Sequence, residues 1–306
     1  MAGKIVVVGS SNTDMILQME HIPRPGETIL GGRFTMAAGG KGANQAVAAA
    51  RAGGQVALVA RVGRDMFGRQ ALEGFRRDGI DVQHVGEDAE APSGVALIFV
   101  ADSGENSIGV ASGANLCLSP ADVERAAETI GAADVLVMQL ETPLETVRAA
   151  AAIAAAQRVP VVLNPAPAQP LDDELLSHVT VLTPNESEAE LLTGVRVADA
   201  SSAAAAAAQL RSKGVASVIF TLGARGAWVS SAEFQGLVPA RTVKPVDTTA
   251  AGDVFNGALA VAMSEGQPLA QCVHFANAAA AVSVTRLGAQ PSAPQRAEIE
   301  SMLGAP

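Results

Sequence analysis

The sequence is poor in aromatic residues, cysteine and histidine. Its 306 residues include no tyrosine, one tryptophan and only two cysteines, Cys117 and Cys272. The two cysteines do not form a CxxC pair, and the four histidines show no metal-ligand spacing. These shortages exclude a disulfide scaffold and a structural zinc site, and they favour a reducing compartment.

Basic residues and long apolar runs are also scarce. The chain has 21 Lys and Arg against 31 Asp and Glu, a formal net charge of -10, which argues against a nucleic-acid or anionic-membrane partner. No stretch reaches the roughly 18 apolar residues of a membrane span, and the apolar run in MAGKIVVVGS is too short for a secretory signal. We therefore expect a cytoplasmic protein that acts on a small molecule.

Hydrophobic residues make up 49% of the chain, in short β-branched runs that alternate with Ala/Leu-rich segments. Continuous apolar strands belong in a sheet that is covered on both faces. The alternation of strand and helix predicts an α/β fold with a doubly wound, mainly parallel sheet. The predicted strands lie within residues 4–10, 55–63, 134–140, 160–166, 179–185 and 217–223. The predicted helices cover residues 41–52, 120–130, 143–158 and 202–213, with Ser119 as an N-cap before Pro120.

Residues 14–37 and 92–112 break this alternation, because each consists of two strand-like runs joined by a Gly- or Pro-containing turn. They predict a separate small β layer. Such a layer is an idle flap, a dimer contact or an active-site lid, and the adjoining Gly/Asn-rich loops favour the lid. The rest of the chain, residues 1–13, 38–91 and 113–306, is predicted to form the α/β core.

An aspartate stands at the start of an apolar helical pattern in DTTAAGDVFNGAL, residues 247–259. Free N–H groups at a helix start form an anion site. The amides in question are those of Ala250, Ala251 and Gly252. Asp253 is then either a cap that complements the helix dipole or a functional carboxylate beside a bound anion. Gly252, which permits close approach of a ligand, favours the second interpretation.

A Gly-rich loop runs into a helix in AAGGKGANQAVAAARAGG, residues 37–54. It is not a Walker loop, because Gly42 stands where Ser or Thr is required, and it is not a dinucleotide fingerprint, because Gln45 occupies a glycine position. Lys41 and Asn44 suit a hydroxyl-rich ligand, although the loop is equally compatible with a simple helix entry.

Three further motifs carry polar groups at strand ends. Asn12 and Asp14 lie on one face of an extended segment, where a carboxylate accepts from vicinal sugar hydroxyls, although Asn-Thr-Asp is also a common turn. Asn185 and Glu188 form either a capping box or a cluster that binds hydrated Mg²⁺. TLGARGAWVSS, residues 221–231, is either a nucleotide-facing loop or a hairpin.

Taken together and in this order, the motifs resemble those of the phosphofructokinase-B-type carbohydrate kinases. The resemblance extends over essentially the whole chain. Its motifs are GSSNTD, GGKGANQAVA, GVALIFV, SGAN, MQLETPLE, LNPAPA, TPNESEAE, TLGARG, DTTAAGDVFNGAL and VTRLGAQPS. AGD is typical of the whole family, whereas GGKGANQAVA is typical of the branch that phosphorylates ribose.

The resemblance implies ATP-dependent phosphorylation of the 5-hydroxyl of D-ribose, with Asp253 as general base. The amides of Ala250, Ala251 and Gly252 would hold the charge of the transferring phosphoryl group. The implied sugar contacts are Asn12, Thr13, Asp14, Gly40, Lys41, Gly42, Ala43, Asn44, Glu141 and Asp253. The implied nucleotide contacts are Asn185, Thr221, Leu222, Gly223, Ala224, Arg225, Gly226, Gly252 and Asn277.

The resemblance also implies two metal cofactors and a homodimer formed through the lid. Glu188 would lie beside the waters of Mg²⁺. The implied K⁺ positions are Asp247, Thr249, Ser283, Arg286, Gly288 and Ser292, several of them through backbone carbonyls. Many relatives have glycine where Ala250 stands, and an alanine there offers its N–H provided that it avoids the left-handed conformation.

Two alternatives stay open from the sequence. One is another sugar or nucleoside kinase of the same fold, such as a deoxyribose or fructose kinase. The other is a catalytically inactive sugar-sensing protein, against which the retained Asp253 and Gly252 argue. The failed dinucleotide fingerprint argues against a dehydrogenase.

Overall fold

Nine strands form the large sheet of the molecule. The structure is a computed structural model and describes residues 2–304. The strands are β1 (Lys4–Val8), β4 (Gln55–Gly63), β5 (Val85–Asp88), β8 (Val135–Met138), β9 (Val161–Leu163), β10 (Val181–Leu182), β11 (Ser217–Thr221), β12 (Ala227–Ser230) and β13 (Gln235–Val238). Their order is β13-β12-β11-β10-β9-β8-β1-β4-β5, and only the β11–β12 and β12–β13 pairs are antiparallel.

Helices cover both faces of this sheet. They are α1 (Lys41–Arg51), α2 (Met66–Arg77), α3 (Pro120–Arg125), α4 (Ala127–Gly131), α5 (Leu144–Ala156), α6 (Asp173–Ser177), α7 (Glu186–Thr193), α8 (Ala200–Ser212), α9 (Ala251–Ser264), α10 (Leu269–Ser283) and α11 (Arg296–Gly304). Short 3-10 turns lie at Gly113–Cys117, Gly223–Arg225 and Gln290–Ser292.

The alternating side chains of β1 define two hydrophobic cores. Ile5 and Val7 pack on one face with residues of α1, α9 and α10. Val6 and Val8 pack on the other face with residues of α3, α5 and α8. All four are buried, which is why the strand is apolar throughout. The predicted doubly wound, mainly parallel α/β fold is confirmed.

Most predicted helices are present, but the one expected over residues 120–130 is divided. Ser119 caps α3 and forms a capping box with Asp122, as the sequence indicated. Ala126 then has φ −94° and ψ 4°, away from α-helical values, so a second helix begins at Ala127. Residues 221–231 combine a 3-10 turn with the first strand of an antiparallel hairpin.

A separate four-stranded sheet lies outside the large one. Its strands are β2 (Asn12–Met19), β3 (Arg33–Gly39), β6 (Gly94–Ala101) and β7 (Asn106–Ala111), in the order β3-β2-β6-β7. They occupy the two stretches that break the βα alternation, but β2 begins at Asn12 and β3 extends to Gly39. Asn12 and Asp14 therefore lie in one strand of this small sheet, close to its junction with the core.

No helix within residues 2–304 is long and apolar enough to cross a lipid bilayer. Residues 1, 305 and 306, which belong to the predicted core, lie outside the described part of the chain.

Candidate active site

Polar side chains gather where the parallel strands of the large sheet end. Glu141 follows β8, Asn164 follows β9, and Asn185 follows β10. The first turns of α1 and α9 lie at the same end of the sheet, because Lys41 and Asn44 on α1 interact with Glu141 and Asp253. This is the edge where open α/β sheets bind their ligands.

Asp253 lies at the centre of the cluster and is 5% exposed. Its Oδ2 accepts a hydrogen bond from Asn44 Nδ2 at 2.9 Å, and its Oδ1 accepts one from Gln45 Nε2 at 3.0 Å. Burial raises the pKa of Asp253 above the usual range, while the charge of Lys41 and the two hydrogen bonds oppose that rise. The carboxylate is thus buried and accepts a hydrogen bond on each of its oxygens.

Lys41 lies in the field of several carboxylates. Its backbone N–H donates to Glu141 Oε2 at 2.9 Å, and Ser10 Oγ donates to the same oxygen at 2.5 Å. Burial lowers the pKa of the Lys41 ammonium, but the charges of Asp253, Glu141 and Glu188 outweigh it and raise the pKa. Lys41 is therefore a fixed cation in the middle of an acidic site.

The side-chain amides of Asn12 and Asn44 offer a ligand opposite hydrogen-bonding groups, a donor on Asn12 and an acceptor on Asn44. Asn115 Nδ2 donates to Asn12 Oδ1 at 2.7 Å, which leaves the Asn12 NH₂ group as a donor. Asn44 uses its NH₂ group on Asp253, and within the described chain its buried Oδ1 has no hydrogen-bond partner. An unpaired buried acceptor is costly, so it is expected to meet a ligand O–H.

Asp14 lies on β2, beside this pair of amides. Burial, followed by the negative charges of Glu141 and Asp253, raises its pKa to about 6.

The start of α9 differs from the expectation in one respect. Ala250, its N-cap, has φ 58° and ψ 14°, the left-handed conformation that an alanine was expected to avoid. The Ala251 N–H donates to the Thr248 carbonyl at 3.2 Å and so closes a turn. Among the described residues the amides of Ala250, Gly252 and Asp253 have no acceptor. Two of the three amides predicted to bind an anion, those of Ala250 and Gly252, are therefore free, together with that of Asp253.

Ala250 is strained, so Ala250→Gly should stabilise the protein. A left-handed non-glycine residue costs roughly 1–2 kcal/mol, and the extra chain entropy of glycine costs roughly 0.5–1 kcal/mol. The expected net gain is about 0.5–1 kcal/mol in unfolding free energy, or roughly 1–3 °C in Tm. Arg158→Gly is the matched control, because Arg158 has φ 60° in an exposed turn. A lower Tm for the Ala250 variant alone would contradict the assignment of strain.

A cavity of about 710 Å³ opens beside the start of α9. Its lining includes four residues of the predicted nucleotide loop, namely Thr221, Gly223, Ala224 and Gly226, and also Asn185, Gly252 and Asn277. Leu222 is buried in the core instead, and Arg225 pairs with Glu186 and the Ala198 carbonyl. Apolar groups of Val243, Pro245 and Val284 complete a wall that suits a flat ring.

Asn185 and Glu188 form the capping box of α7. Each side chain accepts from the other's backbone N–H at 2.8 Å, and Asn185 Nδ2 donates to Glu188 Oε1 at 2.9 Å. Burial raises the pKa of Glu188. No cluster of three His, Cys, Asp or Glu side chains able to hold a metal occurs among residues 2–304. This donor set fits Mg²⁺ only where waters and ligand phosphates supply the remaining oxygens.

The segments on either side of α9 and α10 meet at Asp247. Its Oδ1 accepts from the Thr249 N–H and hydroxyl, and its Oδ2 accepts from the Gly288 N–H at 2.8 Å. Burial opposes ionisation, but these hydrogen bonds outweigh it and lower the pKa of Asp247. Asp247 thus joins the loop before α9 to the loop after α10, with both of its carboxylate oxygens bound to protein donors.

The other residues predicted at that cation have defined partners. The hydroxyls of Ser283 and Ser292 donate to the carbonyls of Ala280 and Ala289, and Arg286 pairs with Glu298. These bonds stabilise the ends of the neighbouring helical turns.

The fold and the site define a class of protein, an α/β enzyme with a buried carboxylate in the first turn of a helix, beside a cluster of polar side chains. The pfkB family carbohydrate kinase model matches residues 2–296. The chain belongs to this family. A ribokinase of Haemophilus influenzae is 47% identical over 298 residues, which cover 97% of each chain.

Solved structures agree. A ribokinase from Thermotoga maritima is 39% identical with a TM-score of 0.91, covering 99% of this chain and 100% of that one. The ribokinase of Arabidopsis thaliana, solved in complex with ribose and ATP, is 34% identical with a TM-score of 0.90 and full coverage of both chains.

Several residues of the site were missed by sequence reasoning. Gln45 donates a hydrogen bond to Asp253, Ser10 donates one to Glu141, and Asn115 donates one to Asn12. Each is a polar residue inside an apolar or Gly-rich run, but that signal does not identify a partner more than 90 residues away.

Proposed function

We propose that the protein catalyses ATP-dependent phosphorylation of D-ribose at its 5-hydroxyl, to give D-ribose 5-phosphate and ADP. The observation that carries the proposal is the position of Asp253, a buried carboxylate in the first turn of α9 with free backbone amides beside it. Asn44 of the polar cluster donates to this carboxylate, and the neighbouring Gly252 lines the 710 Å³ cavity. Relatives named ribokinase at near-complete coverage support the choice of sugar.

Asp253 acts as the general base. It takes the proton of the ribose 5-hydroxyl, whose oxygen forms a bond to the γ-phosphorus while the bond from that phosphorus to the bridging β-oxygen breaks. The electron pair of the broken bond leaves with ADP. The backbone amides of Ala250, Ala251 and Gly252, with that of Asp253 beside them, stabilise the charge on the transferring group at this helix start.

The sugar is held by groups of complementary polarity. Asn12 donates through its NH₂ group, Asn44 accepts through its unpaired Oδ1, and Asp14 accepts from vicinal hydroxyls. Lys41 supplies positive charge between the sugar and the phosphates. Thr13, Gly40, Gly42, Ala43 and Glu141 complete the proposed sugar contacts.

The nucleotide occupies the cavity beside α9. Asn185, Gly252, Asn277 and the loop over residues 221–226 surround it, with Glu188 beside the waters of Mg²⁺. When bound, Mg²⁺ neutralises phosphate charge. K⁺, at the loops that Asp247 joins, supports the conformation of the free amides at the α9 start.

The small sheet acts as a lid and as a dimer contact, with residues 14–37 and 92–112 separate from the core. Large apolar side chains on it are exposed, namely Phe34, Met36, Leu97, Ile108 and Val110. Such an apolar surface on an open-edged sheet supports pairing with a second copy. Two free cysteines support a cytoplasmic location.

Ribose affinity should fall as the pH drops through 6. Because the pKa of Asp14 is raised to about 6 in the free site, the ionised form that accepts sugar hydroxyls is lost below that pH. If binding requires that form, affinity falls about tenfold between pH 7 and pH 5. Calorimetric titration with ribose across this range measures the effect. Asp14→Ala should bind ribose weakly at every pH and ATP nearly as well as the wild type, and an unchanged ribose affinity would reject the assignment.

A sugar panel tests the proposed function. ADP release is measured with ribose, deoxyribose, fructose and nucleosides at fixed Mg-ATP, in KCl and in NaCl of equal ionic strength. We expect the highest kcat/KM with ribose and faster turnover in KCl. Preference for another sugar would replace the proposed substrate, and equal rates in the two salts would remove K⁺ from the proposal.

A further inference from the structure

The proposed base is held by a chain of buried amides that crosses the protein core. Gln139 Nε2 donates to Gln45 Oε1 at 2.7 Å, and Gln45 Nε2 donates to Asp253 Oδ1 at 3.0 Å. Gln45 Nε2 also donates to Asn164 Oδ1 at 3.2 Å. Gln45 has no exposed surface and Gln139 is 1% exposed, so neither side chain can touch the substrates.

The direction of every bond in this chain is determined by the carboxylate. Asp253 can only accept when ionised, so the Gln45 amide must turn its NH₂ group toward it. The Gln45 carbonyl oxygen then faces Gln139, which must donate. A flip of either amide would place two acceptors or two donors against each other.

This row of hydrogen-bonded amides does not maximise the folding stability of the protein. Within the described residues Gln139 Oε1 is buried with no hydrogen-bond partner, a cost of the order of 1–3 kcal/mol. Apolar residues of the same volume would avoid that cost. The two glutamines therefore stabilise the ionised form of Asp253 at a cost to the folding stability of the core around it.

We propose that Gln45 is a positioning residue for the phosphoryl-transfer reaction, which keeps Asp253 ionised and aimed at the substrate hydroxyl and is itself oriented by Gln139. The inference deepens the proposed function and rests on the role of Asp253. The charged groups that face Asp253 are Lys41 on α1, Asp14 on β2, Glu141 after β8 and Glu188 on α7. None of these four groups is hydrogen-bonded to the Gln45 side chain, so its effect is separable from theirs.

Gln45→Met and Gln45→Glu provide the test. Methionine has similar size but no donor, so kcat with ribose should fall about 10- to 100-fold through loss of orientation. The acid limb of the kcat–pH profile should move up by about one unit, because a hydrogen bond to the charged form is lost. In Gln45→Glu the two carboxyl groups titrate as a pair, and the acid limb should move further. Ribose Kd by calorimetry should stay within about threefold, because Gln45 is away from the sugar.

A purely structural role would give a different result. Thr146→Val is the matched control, because Thr146 is equally buried and its hydroxyl donates to the Leu118 carbonyl away from the site. It should lower the Tm and leave the pH profile unchanged. An unshifted acid limb in Gln45→Met, or a loss of ribose affinity as large as the loss of kcat, would overturn the inference.

Two further measurements cover the remaining outcomes. If the Gln45 variants do not fold, Gln139→Met decides, since it frees the Gln45 amide to rotate and should shift the acid limb in the same direction by less. No shift there would overturn the inference.

Asp253→Asn separates the role of Gln45 from the proposed function. If this variant retains turnover, the proposed base is wrong. If it is inactive and the pH profile of the Gln45 variants is unshifted, only the role of Gln45 fails.

Discussion

Asp253→Asn should fold and bind ribose but lose on the order of 10²- to 10⁴-fold in kcat, the usual contribution of a positioned general base. The carboxylate is buried and accepts from Asn44 and Gln45, and an asparagine of the same shape cannot take the hydroxyl proton. Turnover is measured by coupled ADP release and ribose Kd by calorimetry. Ribose Kd should stay within about threefold, because the neighbouring groups of the sugar cluster are unchanged.

The pH profile supplies a second criterion for Asp253. Burial raises its pKa, so the acid limb of kcat should lie above the range of an exposed aspartate, with turnover lost as the pH falls through that limb. Asp122→Asn is the control, because Asp122 is also a buried carboxylate but belongs to the capping box of α3. That variant should lose stability and keep its kcat. Near-wild-type turnover in Asp253→Asn would reject Asp253 as the base.

Gly257→Ala should damage both stability and catalysis. Gly257 lies on α9 where it crosses α1, and an added Cβ would stand 2.6 Å from the Gln45 carbonyl oxygen and 2.8 Å from the Ala49 amide nitrogen. Backbone atoms cannot yield as a side chain can, so the two helices must separate, at a cost of about 1–3 kcal/mol. Asp253 lies one turn earlier on α9, and its displacement from Gln45 should lower kcat by about 10²-fold.

Gly74→Ala is the matched control for this substitution. Gly74 is also inside a helix, but an added Cβ there meets only the end of the Arg77 side chain, at 3.9 Å. Alanine should therefore stabilise α2 by roughly 0.5–1 kcal/mol and leave kcat unchanged. Thermal unfolding and steady-state rates of the two variants measure the contrast. Equal Tm values would show that the α1–α9 crossing is looser than the structure indicates.

The α/β class of the fold could be predicted because the residue pattern of a strand shows whether one or both of its faces are buried. The apolar runs at residues 4–8, 55–63 and 135–138 are buried on both faces, which only a covered parallel sheet provides. The small sheet was also predictable, since two stretches lack helices between their strands. Strand order and the parallel pairing of β2 with β6 were not, because they depend on contacts about 80 residues apart.

The candidate site divides in the same way. Asp253, Lys41 and Asn44 were identified from local patterns, a helix start and a Gly-rich loop, whose chemistry is readable within a few residues. The conformation of Ala250 was not, because an alanine enters the left-handed region only where the surrounding loops determine its backbone. Gln45 was interpreted only as a residue that breaks a glycine fingerprint, while the structure places it against the proposed base.

The sequence by itself determined the α/β layers of the fold, the starts of several helices and the types of polar residue present in the site. These features depend on hydrophobic periodicity, capping residues and glycines, which act over a few positions of the chain. Only the tertiary structure decided which polar groups meet. Asp253 lies 208 residues from Gln45, and Asn12 lies 103 residues from the amide that orients it. Hydrogen-bond partners are selected by the packing of α1 against α9 and of the small sheet against the core, and no local pattern encodes that packing.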